Sequence, residues 1–193
     1  LATAQHAAAV AGSGLLIDIG STTTDLIAFH DGQVTTPSRS DRDRLACGEL
    51  AYHGAVRTPL CALAPRIALQ GQSLNVMNEF FASSADVYRL TGELDPAHDL
   101  YPTADNAAKS LPATRQRLAR MVGCDVRDAS DAEWLDCARA WRAAQIDALA
   151  DSLRRVLSAL PAAAEGPPRR LTVVSAGCGD FLVPDLLAVA GAP

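Results

Sequence analysis

A chain of 193 residues that is 49% hydrophobic and 20% charged can bury a core of its own, which excludes a disordered segment. Its formal net charge of -5 excludes a general nucleic-acid binder, because no basic stripe is available to neutralise phosphates along a duplex; a small anion needs only local donors. The cysteines at 47, 61, 124, 137 and 178 are odd in number and form no CxxC pair, which argues against a disulfide framework or structural zinc and for the cytoplasm, and no apolar run is long enough to span a bilayer.

The start, Leu1-Ala2-Thr3-Ala4, carries neither an initiator Met nor a signal-peptide charge pattern, so the chain is expected to begin inside a longer protein. An Ala-rich helix over 2–11 leads through Gly12-Ser13-Gly14 into the stretch LLIDIGSTTTDLIAF at 15–29. There two apolar runs flank a hydroxyl-rich cluster bounded by Asp18 and Asp25, a pattern of strand, tight turn, strand. Gly20 opens the main chain at the bend, and Ser21, Thr22 and Thr23 line it with hydroxyls and amides, which suits a phosphate. Asp18, at the end of the first strand, is the candidate ligand for a hydrated Mg²⁺ or the candidate residue to orient a water. The alternative is a core hairpin whose Ser/Thr run merely satisfies its turn.

Asp31-Gly32 predicts a second hairpin turn and Gln33-Val34-Thr35 a return strand. Residues 40–59 read as a long loop holding one short helix or strand. Within it Arg44, Glu49, Tyr52, Arg57 and Thr58 supply charges, an aromatic face and a hydroxyl for a polar substrate, as a solvated loop also would. Apolar strand-like segments are expected over 60–69. Helical spacing over 74–90 places Glu79, Ser83 and Asp86 on one stripe with Arg89 nearby. Facing a cleft, that stripe would bind an ammonium or metal and Arg89 an anionic oxygen; otherwise it is a solvated face.

After a loop at Tyr101-Pro102-Thr103-Ala104-Asp105, helical spacing returns over 107–122 and 131–160. The second helix carries an apolar stripe of Leu135, Ala138, Trp141, Ile146, Leu149, Leu153, Val156 and Leu160. Pro161 and Glu165-Gly166-Pro167-Pro168 predict a linker. A strand over 171–175 then passes through Ala176-Gly177-Cys178-Gly179-Asp180 into a helix reaching Ala190. Strand, glycine turn and helix make an anion-binding geometry, with Gly177 and Gly179 admitting a ring or phosphate to the backbone.

The string Asp18-Ile19-Gly20-Ser21-Thr22-Thr23-Thr24-Asp25 resembles the second phosphate motif of the actin, Hsp70 and sugar-kinase superfamily, and the later glycine turn resembles its adenosine motif. That resemblance implies an α/β fold: the second, ribonuclease H-like ATPase lobe of a two-lobe protein. Its mixed sheet is opened by an antiparallel hairpin, residues 74–160 form a mainly helical insertion, and the first lobe is absent from this chain. The runs Arg44-Leu45-Ala46-Cys47-Gly48-Glu49-Leu50-Ala51-Tyr52, Arg57-Thr58-Pro59, Glu79-Phe80-Phe81-Ala82, Ala85-Asp86-Val87-Tyr88-Arg89-Leu90-Thr91-Gly92 and Thr103-Ala104-Asp105 resemble a narrower family. This is the hydantoinase/oxoprolinase-like group of tetrahydromethanopterin-linked one-carbon metabolism.

The narrower resemblance implies a transferase of methanofuran biosynthesis that joins an aminomethylfuran methyl diphosphate to the phenol of a glutamyl-tyramine and releases diphosphate. Under it, the phosphate turn holds the leaving group with Mg²⁺ at Asp18, Arg57 and Arg89 add charge-assisted hydrogen bonds, and Glu49 or Asp86 accepts the phenol proton. Where the family's loop continues with glycine after Asp105, this chain carries Asn106. Competing expectations are an ATP-dependent amidohydrolase or small-molecule kinase, with ATP on the same turn, and a non-catalytic scaffold. Expected partners are a small-molecule diphosphate or nucleotide, with a homodimer as candidate assembly, and the isolated chain is expected to be inactive.

Overall fold

The computed structural model describes residues 2–160 and 171–192; the linker expected at 161 and 165–168 lies outside them. In chain order the elements are α1 (Ala2–Ala11), β1 (Gly14–Ile19), β2 (Thr24–His30), β3 (Gln33–Val34), α2 (Asp41–Cys47) and β4 (Leu50–Ala51). They continue with β5 (Arg66–Leu69), β6 (Gln72–Asn75), α3 (Ser84–Thr91), α4 (Leu111–Met121), α5 (Asp131–Ala159), β7 (Val173–Ala176) and α6 (Val183–Ala190). The chain is thus a mixed α/β protein, and it divides into two compact units, Leu1–Tyr52 with Leu149–Pro193, and His53–Ala148.

The first unit is built on a mixed sheet of order β3-β2-β1-β7, with β4 also paired to β2. β1 lies antiparallel to β2, setting Leu16 opposite Ile27 and Asp18 opposite Asp25, and parallel to β7, setting Asp18 beside Ala176. A strand flanked on both sides and covered on both faces wants a continuous apolar run, which Leu15, Leu16 and Ile17 supply, all fully buried. Ala4, Ala7 and Ala8, at helical spacing on α1, pack on Leu16, Ile27 and Phe29; their small side chains let the helix lie close to the sheet. Because strand side chains alternate, Asp18 and Asp25 share the face of Leu16 and Ile27, where the hairpin ends.

In the second unit β5 and β6 form a hairpin through Gln70 and Gly71, both at positive φ (50° and 73°). α3, α4 and the first part of α5 enclose a core that includes Tyr88, Leu118, Met121, Trp134 and Trp141. The Tyr88 hydroxyl donates to Gln145 Oε1 at 2.9 Å, and Gln145 Nε2 donates to the Gly54 carbonyl at 3.1 Å. Burial raises the Tyr88 pKa far above the ordinary phenol value, so this hydroxyl stays a donor.

The helix expected over 74–90 is the main correction. Residues 72–75 are strand β6, and α3 begins only at Ser84, behind a capping box in which Ser83 and Asp86 exchange hydrogen bonds. Met77 and Phe80, which stand at helical spacing from Tyr88 and Val87, are 45% and 49% exposed. Glu79 therefore shares no helical stripe with Asp86. Over 60–69 only Arg66–Leu69 is strand, preceded by a 3₁₀ turn at Leu60–Ala62.

Candidate functional site

Two turns meet at the end of β1 in the first unit. The hairpin turn between β1 and β2 is closed by a single backbone bond, Gly20 N–H to Thr23 carbonyl at 2.8 Å. The amides of Ser21, Thr22 and Thr23 donate to no acceptor among the described residues. Their side chains are half-buried, and the Ser21 and Thr22 hydroxyl oxygens lie 3.4 Å apart. Three consecutive unengaged amides with adjoining hydroxyls form a set of donors of the kind that receives anionic oxygen.

Gly20 itself is not in the left-handed region, and a Cβ there would meet only the Thr23 carbonyl oxygen, at 3.3 Å. The glycine that the geometry demands is Gly177. Its φ is +87°, and a Cβ would fall 2.2 Å from the Ile19 carbonyl oxygen and 2.7 Å from Asp18 Oδ1. The space left at Gly177 is therefore filled by the end of β1 and not by a ligand. Gly177→Ala is expected to push β7 off β1 and lower the unfolding temperature, by several degrees if the cost is the ~1–3 kcal/mol of a strained backbone residue. Thermal denaturation of the variant checks this.

The donors expected to face an anion after β7 are engaged as well. Gly179 N–H donates to the Ile19 carbonyl at 2.8 Å, Asp180 N–H to Gly177 at 3.3 Å, and Leu182 N–H to Gly179 at 3.0 Å. The Val183 amide donates to Asp180. A 3₁₀ turn at Asp180–Leu182 thus precedes α6 and takes up the amides a plain helix start would leave open. Of the two turns, the hairpin keeps its donors and the glycine turn does not.

Asp18 stands between them, half-buried. Burial, and secondarily the Asp25 carboxylate opposite it, raise its pKa above the usual aspartate value. Asp25 is drawn toward Arg44 of α2, whose guanidinium binds its Oδ1 and also reaches Asp41 Oδ1 at 3.7 Å and the Glu49 carbonyl at 3.4 Å. The Glu49 side chain is buried and accepts the Thr36 hydroxyl on Oε2 at 2.5 Å. Gly48, the left-handed cap of α2, abuts the Ser152 carbonyl of α5, where a Cβ would come within 2.9 Å; this close approach fixes the segment that presents Glu49. Tyr52 is 60% exposed.

The remaining expected site residues belong to the second unit and are tied to one another. Asp86 is 1% exposed. Its Oδ1 accepts Arg89 Nη1 at 2.6 Å and Arg117 Nε at 2.8 Å, and its Oδ2 accepts the Ser83 amide at 3.1 Å. Arg89 also holds Asp99 Oδ2 at 2.7 Å and the Thr114 hydroxyl at 3.1 Å. Arg117, fully buried, reaches Asp105 Oδ1 at 3.2 Å, and Arg120 reaches Asp105 Oδ2 at 2.9 Å. A carboxylate enclosed in this way has no oxygen open to a phenol, so the proton-accepting role expected of Asp86 and the anion-binding role expected of Arg89 lack free atoms here. Thr58, also buried, exchanges hydrogen bonds with Gly54 through its hydroxyl. Arg57 is exposed, with its guanidinium 4.8 Å from the centre of the Tyr101 ring.

Arg117 is not singled out by the sequence. Arg117 sits on a helical pattern as an apparent surface charge, yet Thr114, three residues before it, and Leu118 and Met121 beside it mark a buried face. Asn106, where glycine was expected, adopts φ +55° and its amide donates to the Thr103 carbonyl at 3.0 Å. Asparagine tolerates that region better than most residues, so the turn keeps a glycine-like backbone.

The sheet and turns define an α/β protein whose hairpin offers free amide donors beside a half-buried carboxylate. The chain belongs to the hydantoinase/oxoprolinase family, which it matches over residues 1–191. It is 35% identical over 138 residues to the (4-{4-[2-(gamma-L-glutamylamino)ethyl]phenoxymethyl}furan-2-yl)methanamine synthase of Methanocaldococcus jannaschii, a match covering 71% of this chain and 42% of that protein. It is also 28% identical over 142 residues to the protein of the same name in Methanococcus vannielii, covering 74% of this chain and 64% of the relative. The chain therefore matches less than two thirds of either relative's length.

Proposed function

We propose that this chain is part of a transferase that joins an aminomethylfuran methyl diphosphate to the phenol of γ-glutamyltyramine. In the reaction the phenol oxygen bonds to the methylene carbon, the carbon–oxygen bond to diphosphate breaks, and the phenol proton passes to a base. The names of the two relatives, which describe such an aryl ether, support the chemistry. The observation that carries the site is the row of unengaged amides at 21–23 beside Asp18.

In this reading the Ser21, Thr22 and Thr23 amides and hydroxyls bind the diphosphate oxygens on which charge develops as the bond breaks. Among the described residues no group of three His, Cys, Asp or Glu side chains is placed to hold a metal ion. Mg²⁺ needs no such group, since it uses one or two carboxylates and completes its shell with phosphate oxygens and water. Asp18 would supply that carboxylate, and the ion would offset charge on the leaving group. Glu49 is the base this reading retains, because its Oε1 accepts no hydrogen bond among the described residues. The first unit is read as the ribonuclease H-like lobe of the actin/Hsp70 superfamily; the antiparallel hairpin and the parallel β7 on one sheet support this.

The test uses the full-length protein with both substrates and Mg²⁺. Ether and diphosphate are expected in equal amounts without ATP. Tight binding of ATP-Mg²⁺ with substrate-dependent hydrolysis, against which diphosphate competes poorly, would replace this reading with the ATP-dependent one.

A further inference from the structure

Glu49 is 7% exposed, yet no cation meets its carboxylate among the described residues. Arg44 binds the Asp25 carboxylate and the Glu49 main-chain carbonyl, the latter at 3.4 Å, and leaves the Glu49 side chain alone. The hydrogen bond that this carboxylate receives comes from the Thr36 hydroxyl, on Oε2 at 2.5 Å. Oε1 has no partner among the described residues, and it is not one of the buried polar atoms that lack one, so it reaches the edge of the fold. A carboxylate this enclosed, with one neutral donor and no cation, costs the fold stability that an amide of the same shape would spare. The arrangement points to work other than holding the fold.

Both ends of the bond are fixed. Thr36 precedes Pro37, whose ring sets its own φ, and the Thr36 hydroxyl oxygen accepts the Ser38 amide at 3.1 Å. With that lone pair engaged, the hydroxyl proton turns to Glu49. The Ser38 hydroxyl in turn lies 3.4 Å from Cys47 Sγ, at the end of α2. On the other side Gly48 abuts the Ser152 carbonyl, and the Glu49 carbonyl accepts the Leu26 amide at 2.9 Å. Leu50, next in the chain, stands opposite Asp25, and Asp25 opposite Asp18, so the segment bearing Glu49 and the hairpin bearing the free amides belong to neighbouring strands of one sheet. All of these residues lie in the first unit.

We propose that Thr36 is a positioning residue, whose hydroxyl holds Glu49 Oε2 and leaves Oε1 as the atom that takes the phenol proton. This rests on the transferase reading above. As the phenol oxygen bonds to the methylene carbon and the carbon–oxygen bond to diphosphate breaks, the proton passes to Oε1 and from there to water. One tethered oxygen and one open oxygen give the base a single direction of approach, so the transition state finds it already oriented.

Steady-state kinetics on the full-length protein with both substrates and Mg²⁺ test this. Thr36→Val, which removes the hydroxyl and keeps the shape, is expected to lower kcat by about 10-fold or more, the worth of one hydrogen bond to a charged group, with KM and diphosphate affinity unchanged. Thr36→Ser restores most of the rate. With a γ-glutamyltyramine fluorinated beside the hydroxyl, whose more acidic phenol needs less help from a base, the deficit narrows. In a Glu49→Gln background Thr36→Val costs nothing further. Circular dichroism checks that each variant folds, and Thr36→Ala carries the same expectations should the valine variant fail to. A rate indifferent to Thr36, an equal loss with both phenols, or a loss confined to KM overturns the positioning role while ether formation still upholds the transferase reading. A wild type that forms no ether removes both.

Discussion

Replacing Asp18 with asparagine is expected to lower turnover of the full-length protein by about 10²- to 10³-fold, the range seen when one group that stabilises transition-state charge is removed. The same change is expected to make the ligand-free protein more stable at neutral pH. Burial, helped by the Asp25 carboxylate across the strand pair, raises the Asp18 pKa above its ordinary value of 3.8. A group whose folded pKa is raised contributes stability that is full below the unfolded pKa and lost as pH rises through the folded one. At neutral pH the ionised carboxylate is therefore a cost to the fold, and an amide of the same shape relieves it. Thermal melts of the two proteins should differ most at neutral pH and converge as pH falls toward 3.8. Diphosphate binding with Mg²⁺ should fail on the acid side as Asp18 takes up its proton, and that acid limb should vanish in the asparagine variant. A variant that melts lower than wild type at neutral pH would assign Asp18 to the fold and not to chemistry.

Where a signal is local, the chain states it plainly. Leu15, Leu16 and Ile17 against Leu26, Ile27 and Phe29 specify the hairpin, and the stripe from Ala138 to Val156 specifies α5, because the periods of strand and helix act within one element. The failure over 74–90 was also local. The Ser83 and Asp86 capping pair marks the helix start, but Phe80 and Met77, at helical spacing from Val87 and Tyr88, extend the apparent helix back past it. Other features depend on partners far away in the chain. The glycine turn after β7 looks open to an anion because nothing local shows that the Ile19 carbonyl takes the Gly179 amide. Nor does anything near Asp86 show Arg117, 31 residues later, arriving on the same oxygen. Thr58 and Arg89, expected as substrate contacts, and Asp86, expected as a proton acceptor, are internal ties for that reason.

Those ties carry the second large effect, which falls on stability. Asp86→Ala is expected to cost about 3–5 kcal/mol, the penalty for leaving a buried charge without its partner. Its carboxylate is the shared acceptor of Arg89 and Arg117, and Arg117 has no exposure through which water could replace it. Asp105, at 3.2 Å on another nitrogen, is divided between Arg117 and Arg120. For a chain of this size the loss corresponds to a fall of roughly 6–20 °C in unfolding temperature. Arg117→Met should cost less, because Asp86 keeps Arg89 and the Ser83 amide. The double variant should be more stable than Asp86→Ala alone, since removing both charges leaves no unpaired ion, and denaturant titrations of the three proteins complete the cycle. Acid should weaken the same network. Burial acts to raise Asp105, but the Ala107 amide, Arg117, Thr103 and Arg120 together outweigh it and lower its pKa. Its contribution is present above the unfolded pKa of 3.8 and lost as pH falls through the lower folded value. Asp105 and Asp18 thus bias stability in opposite directions along the pH axis. Asp105→Asn should flatten the acid loss that Asp18→Asn leaves in place, and additivity between the two shows that neither substitution acts through the other.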